Sequence, residues 1–126
     1  MLRLLPRLLI GALGAFAIIG ALRIWIDPTL PAVTLGLSPV GDLGLASLRA
    51  DVGGFFGGMG AFALAAAIRD DRRLVTVPLV LVGLALTGRL ITVGLEGLAP
   101  DMLLPIVVEA ALAVILIFGR RTLGAR

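Results

Sequence analysis

Four long apolar stretches, separated by short polar or proline-broken segments, organise this chain. They run from about Leu8 to Ile26, Leu43 to Ile68, Leu74 to Leu95 and Met102 to Gly119. Each is long enough for a helix crossing a hydrocarbon core, which takes roughly 20 residues with a range of about 17–25. The first stops before Asp27-Pro28, because proline disfavours helical geometry in the residue preceding it. Backbone groups in lipid must be bonded within their own segment or in a closed barrel. No two-residue alternation runs through these stretches, so helices are the predicted solution. The pattern predicts an all-α polytopic membrane protein, a single domain over residues 1–126 built as an antiparallel bundle of four transmembrane helices.

Two segments need a decision beyond hydropathy. Arg3 and Arg7 followed by an apolar run resemble the start of a signal peptide. That run is longer than a signal core, and its small residues lie along it without a polar cleavage region, so it is expected to stay as the first span. Residues 28–42 are apolar but broken by Pro28, Pro31 and Pro39. They are predicted to lie as an interfacial segment across the outer mouth of the bundle, with Trp25 as an interface anchor beside them.

Composition agrees with this pattern and charge orients it. Hydrophobic residues make up 60% and charged ones 15%, with a mean hydropathy of +1.14, far from the balance of a water-soluble domain. All eleven basic residues are arginine. Arg3 and Arg7 precede the first span, Arg69, Arg72 and Arg73 lie between the second and third, and Arg120, Arg121 and Arg126 follow the fourth. The other two connections carry Asp27, Asp42, Glu96 and Asp101, with Arg23 as the lone basic neighbour. Basic residues mark the cytoplasmic side, which predicts a bacterial inner-membrane protein with both termini cytoplasmic. A net charge of +3 and a pI near 11.3 therefore report membrane orientation, and nucleic acid is not an expected partner.

Four ionisable residues fall inside the predicted spans: Arg49, Asp51, Arg89 and Glu109. At 1.5 Å per residue, Arg49 and Asp51 lie about 9–12 Å below the outer surface, Arg89 about 9 Å and Glu109 about 10 Å. Three helices thus deliver charges of zero formal sum to one depth. A lone charge at a helix centre costs about 2.5–3.5 kcal/mol on insertion scales, so such residues face the bundle interior and find partners. The expected pairing sets Arg89 or Arg49 against Glu109 and gives Asp51 the other guanidinium. Such a cluster is either a polar pocket open to the periplasm, for an anionic or amphiphilic ligand, or an ion network that fixes helix register.

The second span also carries GGFFGGMG. Gly53 with Gly57, and Gly54 with Gly58, form two adjacent small faces of the kind that let helices approach closely in lipid. Both faces are expected to meet neighbours, within the chain or in a second copy or larger complex. Catalytic chemistry is sparse. The chain has no His, Cys, Lys or Tyr, and its serines are Ser38 and Ser47, neither in a nucleophile motif. No carboxylate cluster suits a metal, and no cofactor is expected. The small multidrug-resistance exporters carry an essential acid in their first span, and residues 8–26 contain none. The chain is not expected to be an enzyme.

The stretch LRADVGGFFGGMGAF, with Leu48-Arg49-Ala50-Asp51 followed by Gly53-Gly54, resembles a known signature, as do Gly88-Arg89, Glu96-Gly97 and Glu109. It is the pattern of a family of small bacterial four-helix membrane proteins catalogued as a domain of unknown function, DUF4345. The resemblance spans about residues 5 to 119 and implies a four-helix bundle with no assigned activity. Members of that family often have an aromatic where this chain has Val52. At the level of fold alone the chain also resembles DoxX-like bundles, some of which associate with quinone-linked enzymes. Two functions fit these features. The lack of chemistry and the self-neutral charges favour a non-catalytic structural or accessory subunit of a larger membrane complex, respiratory or photosynthetic in type. The proline-broken outer segment, placed to lid a pocket, favours a binding or carrier module for a lipid, quinone or carotenoid.

Overall fold

The computed structural model describes residues 4–124, so Arg3 and Arg126 of the terminal charge clusters lie outside the described residues. The elements are α1 (Leu4–Ile26), α2 (Thr29–Thr34), α3 (Gly41–Ser47), α4 (Gly53–Arg69), α5 (Thr76–Glu96) and α6 (Leu103–Thr122). A π turn at Leu48–Val52 fuses α3 to α4, and a 3₁₀ turn at Pro100–Met102 leads into α6. Among the described residues there is no strand. Four helical rods, Leu4–Ile26, Gly41–Arg69, Thr76–Glu96 and Pro100–Thr122, are long and apolar enough to cross a membrane.

Local chemistry explains the ends. Pro6, Pro78 and Pro105 each sit in the first turn of their helix, where the missing N–H has no intrahelical acceptor to lose. Asp70 closes α4 in the left-handed conformation, at φ 52°, and Gly97 closes α5 at φ 87°. Within 28–42 the chain forms α2, a short helix that the prolines had masked. The Asp27 carboxylate accepts the Thr29 N–H at 3.0 Å and so holds a free donor at its start.

The helices form a ring in which α1 packs on α4, α4 on α5, α5 on α6, and α6 returns to α1. The α1–α4 contact is antiparallel and runs the full length of both helices. Gly11 faces Ala67, Gly14 faces Gly60 and Leu64, and Gly57 faces Ala21 and Trp25. The approach is close: a Cβ added at Gly14 would lie 2.8 Å from the Leu64 nitrogen, and one at Gly60 would lie 2.8 Å from the Gly14 oxygen.

The α5–α6 hairpin joins this pair at one end. Its buried residues are Pro78 and Val82 of α5 with Leu116 and Gly119 of α6, all in the halves nearest the α4–α5 turn. They complete a core with Ile10, Leu13, Ala17, Met59, Ala63 and Ala66. Polar contacts tie the same end. Arg7 donates to the last carbonyls of α4, at 2.9 Å to Ala67 and 3.2 Å to Ile68, where a cation also meets the negative end of the helix dipole. Arg120 Nε donates to Thr76 Oγ1 at 3.0 Å, and the Gly124 N–H donates to Asp70 at 3.2 Å. Beyond Val82 and before Leu116 the hairpin has no buried residue. A third of the apolar stretch of α1 is buried, against 11% in α5 and in α6.

Candidate functional site

The open half of the ring is where the intrahelical charges lie. Arg89 and Glu109 continue the inward stripes of their helices, seven residues beyond Val82 and seven before Leu116, two near-whole turns in each case. Arg89 Nε donates to Glu109 Oε1 at 2.8 Å, with side chains 32% and 17% exposed. Glu109 Oε2 is buried and takes no bond. The pair therefore closes the hairpin on itself while leaving one carboxylate oxygen unused and one guanidinium partly uncovered.

Arg49 and Asp51 take a different position. Both belong to the π turn, and both are exposed. Arg49 Nε donates to the Trp25 carbonyl at 3.1 Å, and the Trp25 indole N–H donates to the Arg49 carbonyl at 3.0 Å. The guanidinium thus satisfies one of the last carbonyls of α1, which has no acceptor role left inside its own helix. The indole bonds a carbonyl in the widened turn, which gives the π geometry a tertiary cause. Asp51 forms no ion pair or hydrogen bond among the described residues. The four charges thus separate into a bonded pair on the hairpin, an arginine clasped between α1 and the π turn, and an exposed Asp51.

Trp25 was not legible as a clasp residue. It is 46% exposed, as an interface anchor would be, yet its ring lies in a notch made by Gly53 and Gly57. A Cβ at Gly53 would collide with the indole, and one at Gly57 would lie 3.3 Å from it. The second small face behaves otherwise: nothing lies within 4 Å of a Cβ at Gly54 or Gly58. Beside the clasp, Asp27 accepts both the hydroxyl and the N–H of Thr29. These bonds, the hydroxyl first, hold its carboxyl below the ordinary value, and the Arg49 charge adds a smaller pull against desolvation.

An open groove of about 450 Å³ runs along the C-terminal half of α1 beneath α2, with Phe56 of α4 at its back. None of Arg49, Asp51, Arg89 or Glu109 lines it. Among the described residues no group of three or more His, Cys, Asp or Glu side chains converges as a metal site would require. No family model, curated protein or solved structure matches this chain.

Proposed function

We propose that this chain is a four-span inner-membrane protein, with both termini cytoplasmic, acting as a non-catalytic accessory subunit of a larger membrane complex. The supporting observation is the unfinished outer half of the α5–α6 hairpin, which has no buried residue yet carries the Arg89–Glu109 pair. Polar groups inside a bilayer are stable when buried in protein or facing water, and a second polypeptide against the hairpin would complete that burial. The free faces at Gly54, Gly58, Gly83 and Gly88 add surfaces that a helix could approach closely.

The orientation is supported by the end that Arg7, Arg69, Arg72, Arg73, Arg120 and Arg121 share, against Arg23 and Arg49 near the other. Because the chain has no cysteine, single cysteines at Ser38 and Thr122 provide a direct test. Labelling of the first by an impermeant reagent in intact cells, and of the second only after lysis, is the expected result. For the accessory role, native-detergent purification with mass spectrometry is expected to recover the chain in fixed ratio with larger subunits. Photo-crosslinks to them should form from Leu104 and Val107 and not from Phe16. A lone monomer that crosslinks to no protein from either face would overturn the role.

A further inference from the structure

The groove beneath α2 has a more specific chemistry than the hairpin. Its apolar walls are Phe16, Gly20 and Ile24 of α1, Leu30 and Leu35 at α2, and Phe56 of α4. Gly20 makes the space: a Cβ there would touch the Phe56 ring at 3.5 Å, so any longer side chain would fill the groove. The volume of about 450 Å³ lies in the range of roughly 300–1,000 Å³ that ligand sites occupy. Three polar side chains stand on its rim: Arg23, Asp27 and Thr34. The Thr34 hydroxyl donates to the Leu30 carbonyl at 3.2 Å, and the Asp27 carboxylate is engaged by Thr29. The Arg23 guanidinium is exposed and forms no hydrogen bond or ion pair among the described residues. An apolar slot therefore ends at an uncommitted arginine beside an aspartate already engaged by Thr29.

We propose that this groove holds an acyl chain of an anionic phospholipid of the outer leaflet, with its phosphate on Arg23. A guanidinium offers a planar fork of donors that matches phosphate, which a neutral rim could not. Placement follows from the proposed orientation, which sets Phe16 to Asp27 in the outer half of α1. The proposal rests on the four-span reading and is independent of the accessory role.

The test uses the full chain in vesicles of equal phosphatidylglycerol and phosphatidylcholine, with a photoreactive benzoylphenylalanine at position 34 or, as reference, at position 107. Thr34 is on the rim of the groove, and Val107 is exposed on the outer half of α6. Captured lipids are identified by mass spectrometry. The expected ratio of phosphatidylglycerol to phosphatidylcholine at position 34 is about fivefold that at position 107, as for one arginine facing an anionic headgroup. Arg23→Gln should bring the two ratios together, and Gly20→Leu should abolish capture at position 34. The Arg23 side chain makes no hydrogen bond or ion pair among the described residues, so its replacement is expected to leave the fold intact, which unchanged thermal unfolding would verify. Equal ratios with Arg23 present, enrichment that survives Arg23→Gln, or capture at position 107 alone would each overturn the groove. Capture at neither position would overturn the four-span reading with it.

Discussion

The α1–α4 pair and the α5–α6 hairpin are both antiparallel, apolar and about twenty residues long, yet they are held by different means. Glycine and alanine bring the backbones of α1 and α4 together along their whole length, so van der Waals contact is continuous from Gly11 to Trp25. In the hairpin, buried residues lie only in the halves nearest the α4–α5 turn, and the other halves are joined by one ion pair between partly buried side chains. Hydropathy does not distinguish the two pairs. Residue size at the facing positions does, because glycine and alanine let two backbones meet where larger side chains hold them apart.

The sharpest way to break this comparison is to put volume into the tight pair. Gly60→Leu forces side-chain atoms against the Gly14 oxygen and the Ile18 nitrogen, which are backbone and cannot rotate away. A loss of about 3 kcal/mol or more is expected, at or beyond the upper range for overpacking. The same change in the hairpin, Gly88→Leu, starts from a Cβ with nothing within 4 Å. It should be neutral or add up to about 1 kcal/mol of helix propensity. Reversible unfolding in mixed micelles measures both, and similar losses at the two sites would sink the distinction.

Next in size is the hairpin's own fastening. Glu109→Gln removes the charge that faces Arg89 but keeps an oxygen that can accept, and should cost about 1–1.5 kcal/mol, the difference between a charged and a neutral bond. A double-mutant cycle with Arg89→Gln should return a coupling of about 0.6–1.7 kcal/mol, typical of polar pairs between helices in membranes. Spin labels on Leu104 and Phe62 should report a wider or broader separation in the variant. An unchanged distance would mean that the foot alone sets the hairpin's position.

Trp25→Phe probes the tight side more gently. It keeps an aromatic ring in the Gly53–Gly57 notch and deletes the bond to the Arg49 carbonyl. The expected loss is about 0.5–1.5 kcal/mol. Amide exchange should rise over 48–52 while the amides around Gly60 stay protected. A uniform rise would show that the indole holds more than the π turn.

Much of this architecture was legible in residue order, and the exceptions have physical causes. Pro28 marks the end of α1, and of the four charges that residue counting sets at one level, Arg89 and Glu109 do pair while Arg49 and Asp51 stand apart from them. The π turn carries no local mark, since it arises from the reciprocal bonds between Trp25 and Arg49, residues 24 apart. With Arg49 drawn to the Trp25 carbonyl, Asp51 is left exposed and without a guanidinium. Likewise Gly53 and Gly54 are equivalent in composition, and only the direction of α1 decides that the first is filled by an indole and the second left open. α2 was hidden because its prolines suggested a break, although Pro28 and Pro31 fall where a short helix tolerates them.

The smallest expected effect lies at α2, on the rim of the tight pair. The folded-state value of the Asp27 carboxyl is lowered, chiefly by the Thr29 hydroxyl, relative to an unfolded value of about 3.9. A lowered folded value means a contribution fully present above the unfolded value and lost as pH falls through the folded one. α2 should therefore keep its start through neutral and mildly acidic conditions and loosen only below about pH 4. Carbon-13 carboxyl titration in micelles would follow this directly. Thr29→Val removes the first cause and should move Asp27 back toward the ordinary value, whereas Glu109→Gln should leave it unmoved. If Asp27 titrated at the ordinary value with Thr29 in place, the bonds that seat α2 over the groove would not persist in solution. The boundary between the tight pair and its loose neighbours would then begin at Ile26 rather than beyond Thr34.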